Sequence, residues 1–338
     1  MIYREEIQRT ESYKKAYLNG IEAVIDQRQK EAELLRIDYF KDVFSDQDKY
    51  RQELKQMLGW PLVDHADQGI PSAVFEKLSD EGDYTVFRVQ FEILTGLTLT
   101  GLLFKMNCDE KRPLIIVQHG GGGTPEKISG IYDGTANYND MLMRVAKHGV
   151  HAFAPQLLLW GEQYGIPFDR KGIDTRLKRV GSSITAIELY GISKILDYFE
   201  GESYVSNFGM VGLSYGGFYT LFAAAIDTRI KSSVSCSFFN KRDKCGWSDW
   251  VWSNSAKRFD DAEIACLVYP RRLCIEMGDK DELFDSRYSV ESFERIKDYC
   301  KNVGTDWVEL LVFDGKHEFC KDDAPIERLI KNLDQVEI

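Results

Sequence analysis

The stretch GMVGLSYGGFYT, residues 209–220, joins an apolar run to a glycine-rich turn and a second apolar run. Gly212, Ser214 and Gly216 fit the pattern G-x-S-x-G, which is weak evidence alone because glycine is frequent in this chain. Its setting is more specific, since FGMVGL predicts a buried strand and YGGFYTLFAAAI a buried helix. A serine at such a strand–turn–helix junction is either a raised nucleophile or an inert capping hydroxyl.

Short apolar runs alternate with helical patterns on both sides of this turn, from Pro113 onward. The predicted strands are LIIVQ, VHAFAP, GMVGL, IKSSVSC, RLCIEM and WVELLVF, and helices are predicted near 136–148, 182–200, from 215, near 286–303 and near 324–335. Continuous apolar strands separated by helices predict a mostly parallel sheet with helices on both faces. Residues 73–106 alternate instead, which predicts an antiparallel start to that sheet. Side chains that act on a ligand are expected at the carboxyl ends of the parallel strands.

The N-terminal part has a different character. Residues 11–39 and 46–58 are rich in helix-forming residues, and the turn-rich DHADQGIPS follows at 64–72. We therefore predict a helical extension over residues 1–72 and an α/β domain over residues 73–338.

Composition limits the partners that the chain can have. The formal charge is −11, the isoelectric point is near 5.1, and no Lys/Arg-rich run offsets the negative field, which argues against nucleic acid. The charged N-terminus lacks the apolar region of a signal or anchor, and the run FYTLFAAAI is too short to span a bilayer. Seven irregularly spaced cysteines argue against a disulfide framework and a zinc site. We expect a cytoplasmic protein, with homo-oligomerisation left open.

A nucleophilic serine needs an imidazole to accept its proton and an acid to orient that imidazole. His317 is the only one of five histidines that follows Ser214, and it lies in a turn just after a predicted strand. The preceding strand ends in MGDKDELFD, which offers four carboxylates: Asp279, Asp281, Glu282 and Asp285. Any one of them could instead be a solvated loop residue.

Four consecutive glycines, Gly120–Gly123, follow the predicted strand LIIVQ and His119. Their backbone amides could bind a tetrahedral oxyanion because no Cβ blocks their approach. Gly121 and Gly122, together with the amide of Tyr215, are the predicted donors. A phosphate-binding loop is the alternative, but neither G-x-G-x-x-G nor G-K-[ST] is present. We expect His119 to stabilise the loop.

The span from about 75 to 335 resembles the α/β-hydrolase superfamily. The sequences HGGGG, GLSYGGF, AEIACLVYPRRLCIEMGDKDELF and DGKHEF are similar to its dienelactone-hydrolase-like and acetyl-xylan-esterase-like branch. This resemblance implies a triad of Ser214, Asp281 and His317, and it selects Asp281 because the acid of that branch lies in a G-x-x-D turn. It implies a carboxylic ester hydrolase that uses no metal or organic cofactor and takes a small-molecule ester.

The chain also departs from that branch. Dienelactone hydrolases have cysteine where this chain has Ser214, so their lactone substrate is not inherited. The R-G-Q motif of acetyl xylan and cephalosporin deacetylases is absent, and PQLLLWGEQYG is only loosely similar. S-Y-G-G-F also resembles prolyl-oligopeptidase-type peptidases, but about 75 helical residues cannot form their β-propeller. A non-enzymatic binding protein with this fold is a further alternative, although all the required residue types stand in order.

Aromatic residues near the strand ends are candidates for substrate contact. Trp247, Trp250 and Trp252 lie in a polar stretch after a predicted strand, and Trp160 follows another. They could stack on a sugar or line an acyl pocket, or they could pack an insertion against the body. Trp160 and Trp250 are the predicted substrate-binding residues.

Overall fold

The computed structural model describes residues 2–60, 69–132 and 134–334. Its strands are β1 (Ala73–Asp80), β2 (Tyr84–Leu94), β3 (Leu97–Met106), β4 (Arg112–Gln118), β5 (His151–Pro155), β6 (Val205–Leu213), β7 (Ile230–Cys236), β8 (Arg272–Gly278) and β9 (Val308–Phe313). Its α-helices are α1 (Glu11–Tyr39), α2 (Gln47–Leu58), α3 (Pro125–Ile128), α4 (Met141–Ala146), α5 (Arg170–Arg179), α6 (Ile184–Glu200), α7 (Tyr215–Ile226), α8 (Asp261–Cys266), α9 (Ser286–Tyr299) and α10 (Ala324–Asp334).

The nine strands of the described ranges form one sheet in the order β1-β2-β3-β5-β4-β6-β7-β8-β9. Strands β1, β2, β3 and β5 pair in antiparallel fashion, and β5, β4, β6, β7, β8 and β9 pair in parallel. The prediction of an antiparallel start followed by a parallel sheet is therefore confirmed. The order places the turn after β6 beside the turns after β4 and β7, so side chains from these three strand ends meet at one edge.

Helices cover both faces of the sheet, as predicted. One buried apolar cluster includes residues of α2, α6, α7, α8 and α9, and the other includes residues of α4 and α10. Three helices of the described ranges, α3, α5 and α8, were not predicted from the sequence, and α3 is a single turn. Helix α5 is almost entirely polar, and it is capped by Asp169, whose side chain accepts the amide of Gly172. Helix α8 has only six residues, but the capping box formed by Asp260 and Glu263 could have predicted where it begins.

The two N-terminal helices have the predicted bounds to within one residue. Along α2, Tyr50, Leu54 and Leu58 are buried in the same cluster as α7. The guanidinium of Arg51 donates to the carbonyls of Ala225 and Leu267, which fixes α2 to the body. The junction predicted at 64–72 lies partly outside the described residues, and the boundary at residue 72 stays a prediction.

The helices and the cysteines were each the subject of a sequence-based expectation. Over the described ranges, none of the helices has the length and apolarity that crossing a bilayer requires. All seven cysteines are free thiols, and five of them are buried. The cysteines therefore contribute to packing and not to a covalent framework.

Candidate active site

Ser214 occupies a left-handed backbone conformation between β6 and α7. Its φ and ψ are 61° and −119°, a region that side chains other than glycine rarely adopt. Two bonds hold it there: its amide donates to the carbonyl of Cys236 at 2.9 Å, and its carbonyl accepts the amide of Phe218 at 2.9 Å. A strained serine at a strand-to-helix turn has the geometry of a nucleophile elbow.

The glycines around Ser214 are required by close backbone contacts. A Cβ at Gly216 would lie 2.1 Å from the carbonyl oxygen of Gln118 in β4. A Cβ at Gly212 would lie 2.4 Å from backbone atoms of Gly216. The pattern G-x-S-x-G therefore lets the first turn of α7 press against the end of β4, which brings the serine beside the glycine loop that follows β4.

His317 and Asp281 form a hydrogen-bonded pair at the same edge. The Nδ1 atom of His317 lies 2.9 Å from Oδ2 of Asp281. The other carboxylate oxygen, Oδ1, accepts the amides of Leu283 at 2.8 Å and Phe284 at 3.0 Å. Asp281 is 9% exposed, so the surrounding protein fixes its orientation. These bonds leave Oδ2 to accept Nδ1–H and leave Nε2 of the imidazole to act as a base.

Cys236 links the serine turn to the histidine loop. Its carbonyl accepts the Ser214 amide, and its thiol donates to the carbonyl of Glu318 at 3.4 Å, one residue after His317. The described contacts of the His317 ring are its bond to Asp281 and its packing on Phe284; a bond to the Ser214 hydroxyl is not among them. Catalytic hydrogen bonds in enzymes without ligand are often formed only when substrate binds.

The glycine loop supplies fewer free amides than the sequence suggested. Gly120 donates to the hydroxyl of Tyr138 at 2.9 Å, and Gly123 donates to the carbonyl of Gly120 at 3.2 Å. Gly122, a predicted oxyanion donor, donates instead to the carbonyl of Leu159 at 2.7 Å. Within the part of the chain that the structure describes, Gly121 is the glycine of the four whose amide has no acceptor.

This finding corrects the role assigned to Gly122. Its φ of 72° requires glycine, and its amide holds the loop against the segment after β5. The contact with Leu159 joins residues that are 37 positions apart, so the local sequence around Gly122 could not predict it. The amides of Gly121 and of Tyr215, the first residue of α7, remain as candidate oxyanion donors.

His119 is a buried structural residue, as expected. Its Nδ1 lies 2.9 Å from the carbonyl oxygen of Gly120, and its Nε2 accepts the amide of Leu157 at 3.3 Å. Burial lowers the pKa of His119 to about 4, so the ring is neutral near pH 7. A neutral ring that joins the loops after β4 and β5 stabilises the glycine loop.

The predicted tryptophans lie in three different surroundings. Trp250 is 2% exposed and stacks on Phe218 at 4.9 Å, so it packs the interior instead of facing the cleft. Trp247 is half-buried and stacks on Tyr215 with 5.6 Å between ring centroids. Trp160 donates to the carbonyl of Ile166 and packs on Phe168. Of these residues, Trp247 is the one that extends the surface beside the serine.

An aromatic wall, Tyr215, Trp247 and Phe284, connects the serine turn to His317. The Trp247 ring lies 5.3 Å from Phe284, and Phe284 lies 5.7 Å from the His317 imidazole. All of these rings except Phe284 are partly exposed. The wall therefore offers flat apolar faces beside the candidate nucleophile and base.

A separate apolar cavity of about 740 Å³ lies between the β2–β3 hairpin and helices α5 and α6. Trp160 and Leu158 line its side toward the glycine loop. Ser214 and His317 are not among its described lining residues. Trp160 therefore borders this cavity and not the aromatic wall.

Comparison with solved structures identifies the architecture. One similar solved structure is a "putative acetyl xylan esterase (BF1801)" from Bacteroides fragilis NCTC 9343. It superposes on this chain with a TM-score of 0.67 and 17% sequence identity, and the match covers 81% of this chain and 75% of that one. Another is acetyl xylan esterase 1 from Thermoanaerobacterium sp. JW/SL YS485, with a TM-score of 0.56, 16% identity and coverage of 86% and 94%. The fold is that of an α/β-hydrolase. The predicted α/β-hydrolase fold is thus confirmed, and the solved structures that share it include proteins named as acetyl xylan esterases.

Sequence comparison gives a shorter match. The chain is 30% identical over 193 residues to a Bacillus subtilis (strain 168) protein named "Putative hydrolase YtaP". The match covers 51% of this chain and 61% of that protein, so this chain spans about three fifths of its relative. No protein-family model matches the sequence.

Proposed function

We propose that this protein is a serine hydrolase of carboxylic esters, with Ser214 as nucleophile, His317 as base and Asp281 as the acid that orients it. The observation that carries the proposal is the 2.9 Å bond from His317 to Asp281 at the sheet edge where Ser214 holds a positive φ. The hydrolase name of the Bacillus subtilis relative and the esterase names of the structural neighbours support the same reaction class.

In the proposed first step, Nε2 of His317 removes the proton from the Ser214 hydroxyl while Oγ attacks the ester carbonyl carbon. The carbonyl π electrons move to oxygen, and the amides of Gly121 and Tyr215 bind the resulting oxyanion. The imidazolium then protonates the leaving alcohol as the C–O bond breaks, which leaves an acyl-enzyme. Water then attacks the acyl-enzyme in the same way, with His317 as base, which releases the carboxylic acid and restores the serine. These steps require neither a metal nor an organic cofactor.

The proposed substrates are esters of small acids, including acetylated carbohydrates. The aromatic wall supports a sugar because Tyr215 and Trp247 present stacked, partly exposed rings beside Ser214. The names of the two acetyl xylan esterases point in the same direction. The cytoplasmic location and a homo-oligomeric state stay predictions.

Hydrolysis of p-nitrophenyl acetate by wild type and by Ser214→Ala tests the proposal. We expect the variant to lose both the burst and the turnover. Ser289→Ala is a matched control, since that serine is buried in helix α9 and its hydroxyl donates to the carbonyl of Phe239. Equal turnover by wild type and Ser214→Ala would refute the assignment of Ser214. Turnover of an aminoacyl anilide that exceeds turnover of the acetyl ester would favour the peptidase alternative.

A further inference from the structure

A buried charged cluster connects the two segments that carry the proposed oxyanion donors. Arg170, at the start of α5, donates through Nε to Oδ2 of Asp249 at 2.8 Å. Its two terminal nitrogens donate to Oε1 and Oε2 of Glu188 at 3.1 and 2.8 Å. Asp249 is 1% exposed and Glu188 is 5% exposed. The guanidinium therefore sits between two carboxylates that have little access to water.

One arm of the cluster reaches the residue after the nucleophile. The hydroxyl of Tyr215 donates to the same Oδ2 of Asp249 at 2.8 Å, and the Arg170 guanidinium lies 5.3 Å from the centre of its ring. Burial, with the nearby Asp249 carboxylate, raises the pKa of Tyr215, so the phenol remains a donor. The side chain of Tyr215 is thus fixed by the cluster, and its backbone carries one proposed oxyanion amide.

The other arm reaches the glycine loop. Arg170 donates to the carbonyl of Leu158 at 2.8 Å, while Glu188 accepts the amide of Leu158 at 2.7 Å. The next carbonyl, that of Leu159, accepts the amide of Gly122 at 2.7 Å. The cluster therefore binds both the carbonyl and the amide of Leu158. The next residue, Leu159, holds the glycine loop that contains Gly121.

The shape of arginine suits this position. A further bond from Arg170 goes to the hydroxyl of Tyr219 at 2.8 Å, so the guanidinium serves Asp249, Glu188, Leu158 and Tyr219 at once. A lysine keeps the charge but supplies a single nitrogen and cannot span these partners. The function of the position thus depends on geometry as well as on charge.

We propose that Arg170 is a positioning residue that sets the distance between the two halves of the oxyanion hole, acting on Tyr215 through Asp249 and on the Gly121 loop through Leu158. The inference rests on the proposed function for its effect on the reaction. Its structural part, that one side chain couples the two segments, stands independently and has its own measurement.

The test compares Arg170→Lys and Tyr215→Phe with wild type and with Arg229→Lys. Arg229 is a matched control because it also bonds several carboxylates, Asp197 and Asp227 among them, at the opposite end of α7 from Ser214. Tyr215→Phe removes the link to Asp249 and leaves the backbone amide in place. Each enzyme is assayed on p-nitrophenyl acetate well below its melting temperature, and amide hydrogen exchange is followed at Gly122, Leu158 and the start of α7.

We expect Arg170→Lys and Tyr215→Phe to lower kcat by roughly tenfold with little change in KM, because a displaced oxyanion donor weakens binding of the transition state and not of the ester. We expect exchange at Gly122 and Leu158 to accelerate in Arg170→Lys only, and the Arg229→Lys control to change neither kcat nor exchange at these sites. Unchanged kcat and unchanged exchange in Arg170→Lys would overturn the inference.

The same measurements separate the two proposals. A wild type without ester turnover would refute the proposed function, whereas faster exchange in Arg170→Lys would still support the coupling of the two segments. Ester turnover with kcat and exchange in Arg170→Lys equal to those of Arg229→Lys would refute the positioning role and leave the proposed function intact.

Discussion

Replacement of Ser214 by glycine should stabilise the protein relative to replacement by alanine. Both changes remove the hydroxyl, so both enzymes should be inactive, but they differ at the backbone. The φ of 61° and ψ of −119° at this position strain an alanine and suit a glycine. The pair of variants therefore measures the strain stored in the turn, independently of the reaction.

The expected difference follows from two opposing terms. A side chain held in such a sparsely populated region costs about 1–3 kcal/mol. Glycine loses more freedom on folding than alanine, which offsets about 0.4–1 kcal/mol of that gain. Ser214→Gly should thus exceed Ser214→Ala in free energy of unfolding by roughly 0.5–2 kcal/mol, and in melting temperature by about 1–3 °C for a protein of this size.

Thermal and urea unfolding, followed by circular dichroism, measure this difference. Ser289, inside helix α9, provides a control with ordinary helical backbone. At position 289 the alanine variant should be more stable than the glycine variant, since glycine within a helix is about 1 kcal/mol less favourable than alanine. An alanine variant at position 214 as stable as the glycine variant would show that the turn stores no strain, and the reasoning would fail.

Three other predictions follow from the site and its framework. Asp281→Asn should lower kcat for p-nitrophenyl acetate by roughly 10³–10⁴-fold, because the amide no longer orients the imidazole. Asp285→Asn, at the half-buried N-cap of α9, should leave kcat near wild type. Gly216→Ala should cost about 3 kcal/mol or more of unfolding free energy, since its Cβ would overlap a β4 carbonyl; Gly246→Ala, with open space around it, should cost little in the same urea titration. Burial raises the pKa of Glu276 to about 7, so the folded state keeps a proton that the unfolded state releases near pH 4.5, and this carboxyl destabilises the fold progressively as pH rises from 4.5 to 7. Glu276→Gln should therefore stabilise the protein by up to about 3 kcal/mol at pH 8, with a gain that shrinks toward pH 5; a gain independent of pH in unfolding titrations would contradict the titration of this carboxyl.

Local patterns predicted most of the fold because the strands are buried on both faces. The run IKSSVSC coincides with β7, and the helix expected from residue 215 begins there. Helix α5 was not predictable from an apolar stripe, since RKGIDTRLKR has almost none. It is held by Arg170, whose partners come from α6, α7 and two distant loops.

The candidate site also has parts that the sequence predicted and parts that it did not. The order of Ser214, an acid and His317 could be predicted because the chemistry limits the residue types, and the structure places Asp281 beside His317. The burial of Trp250 was unpredictable from its polar neighbours, because its surroundings are rings such as Phe218 from elsewhere in the chain. Long-range backbone contacts, like that of Gly122, leave no mark on the nearby sequence.

The contact between the first turn of α7 and the end of β4 has a consequence for engineering. At Gly216 and Gly212 the atoms that meet are backbone atoms, so no choice of rotamer can accommodate a larger residue. Mutant libraries that vary Gly212 and Gly216 should therefore consist mostly of chains that do not fold. Residues 243–248, which carry Trp247 and precede the buried Asp249, take no part in that contact, and new substrate preferences are best sought there.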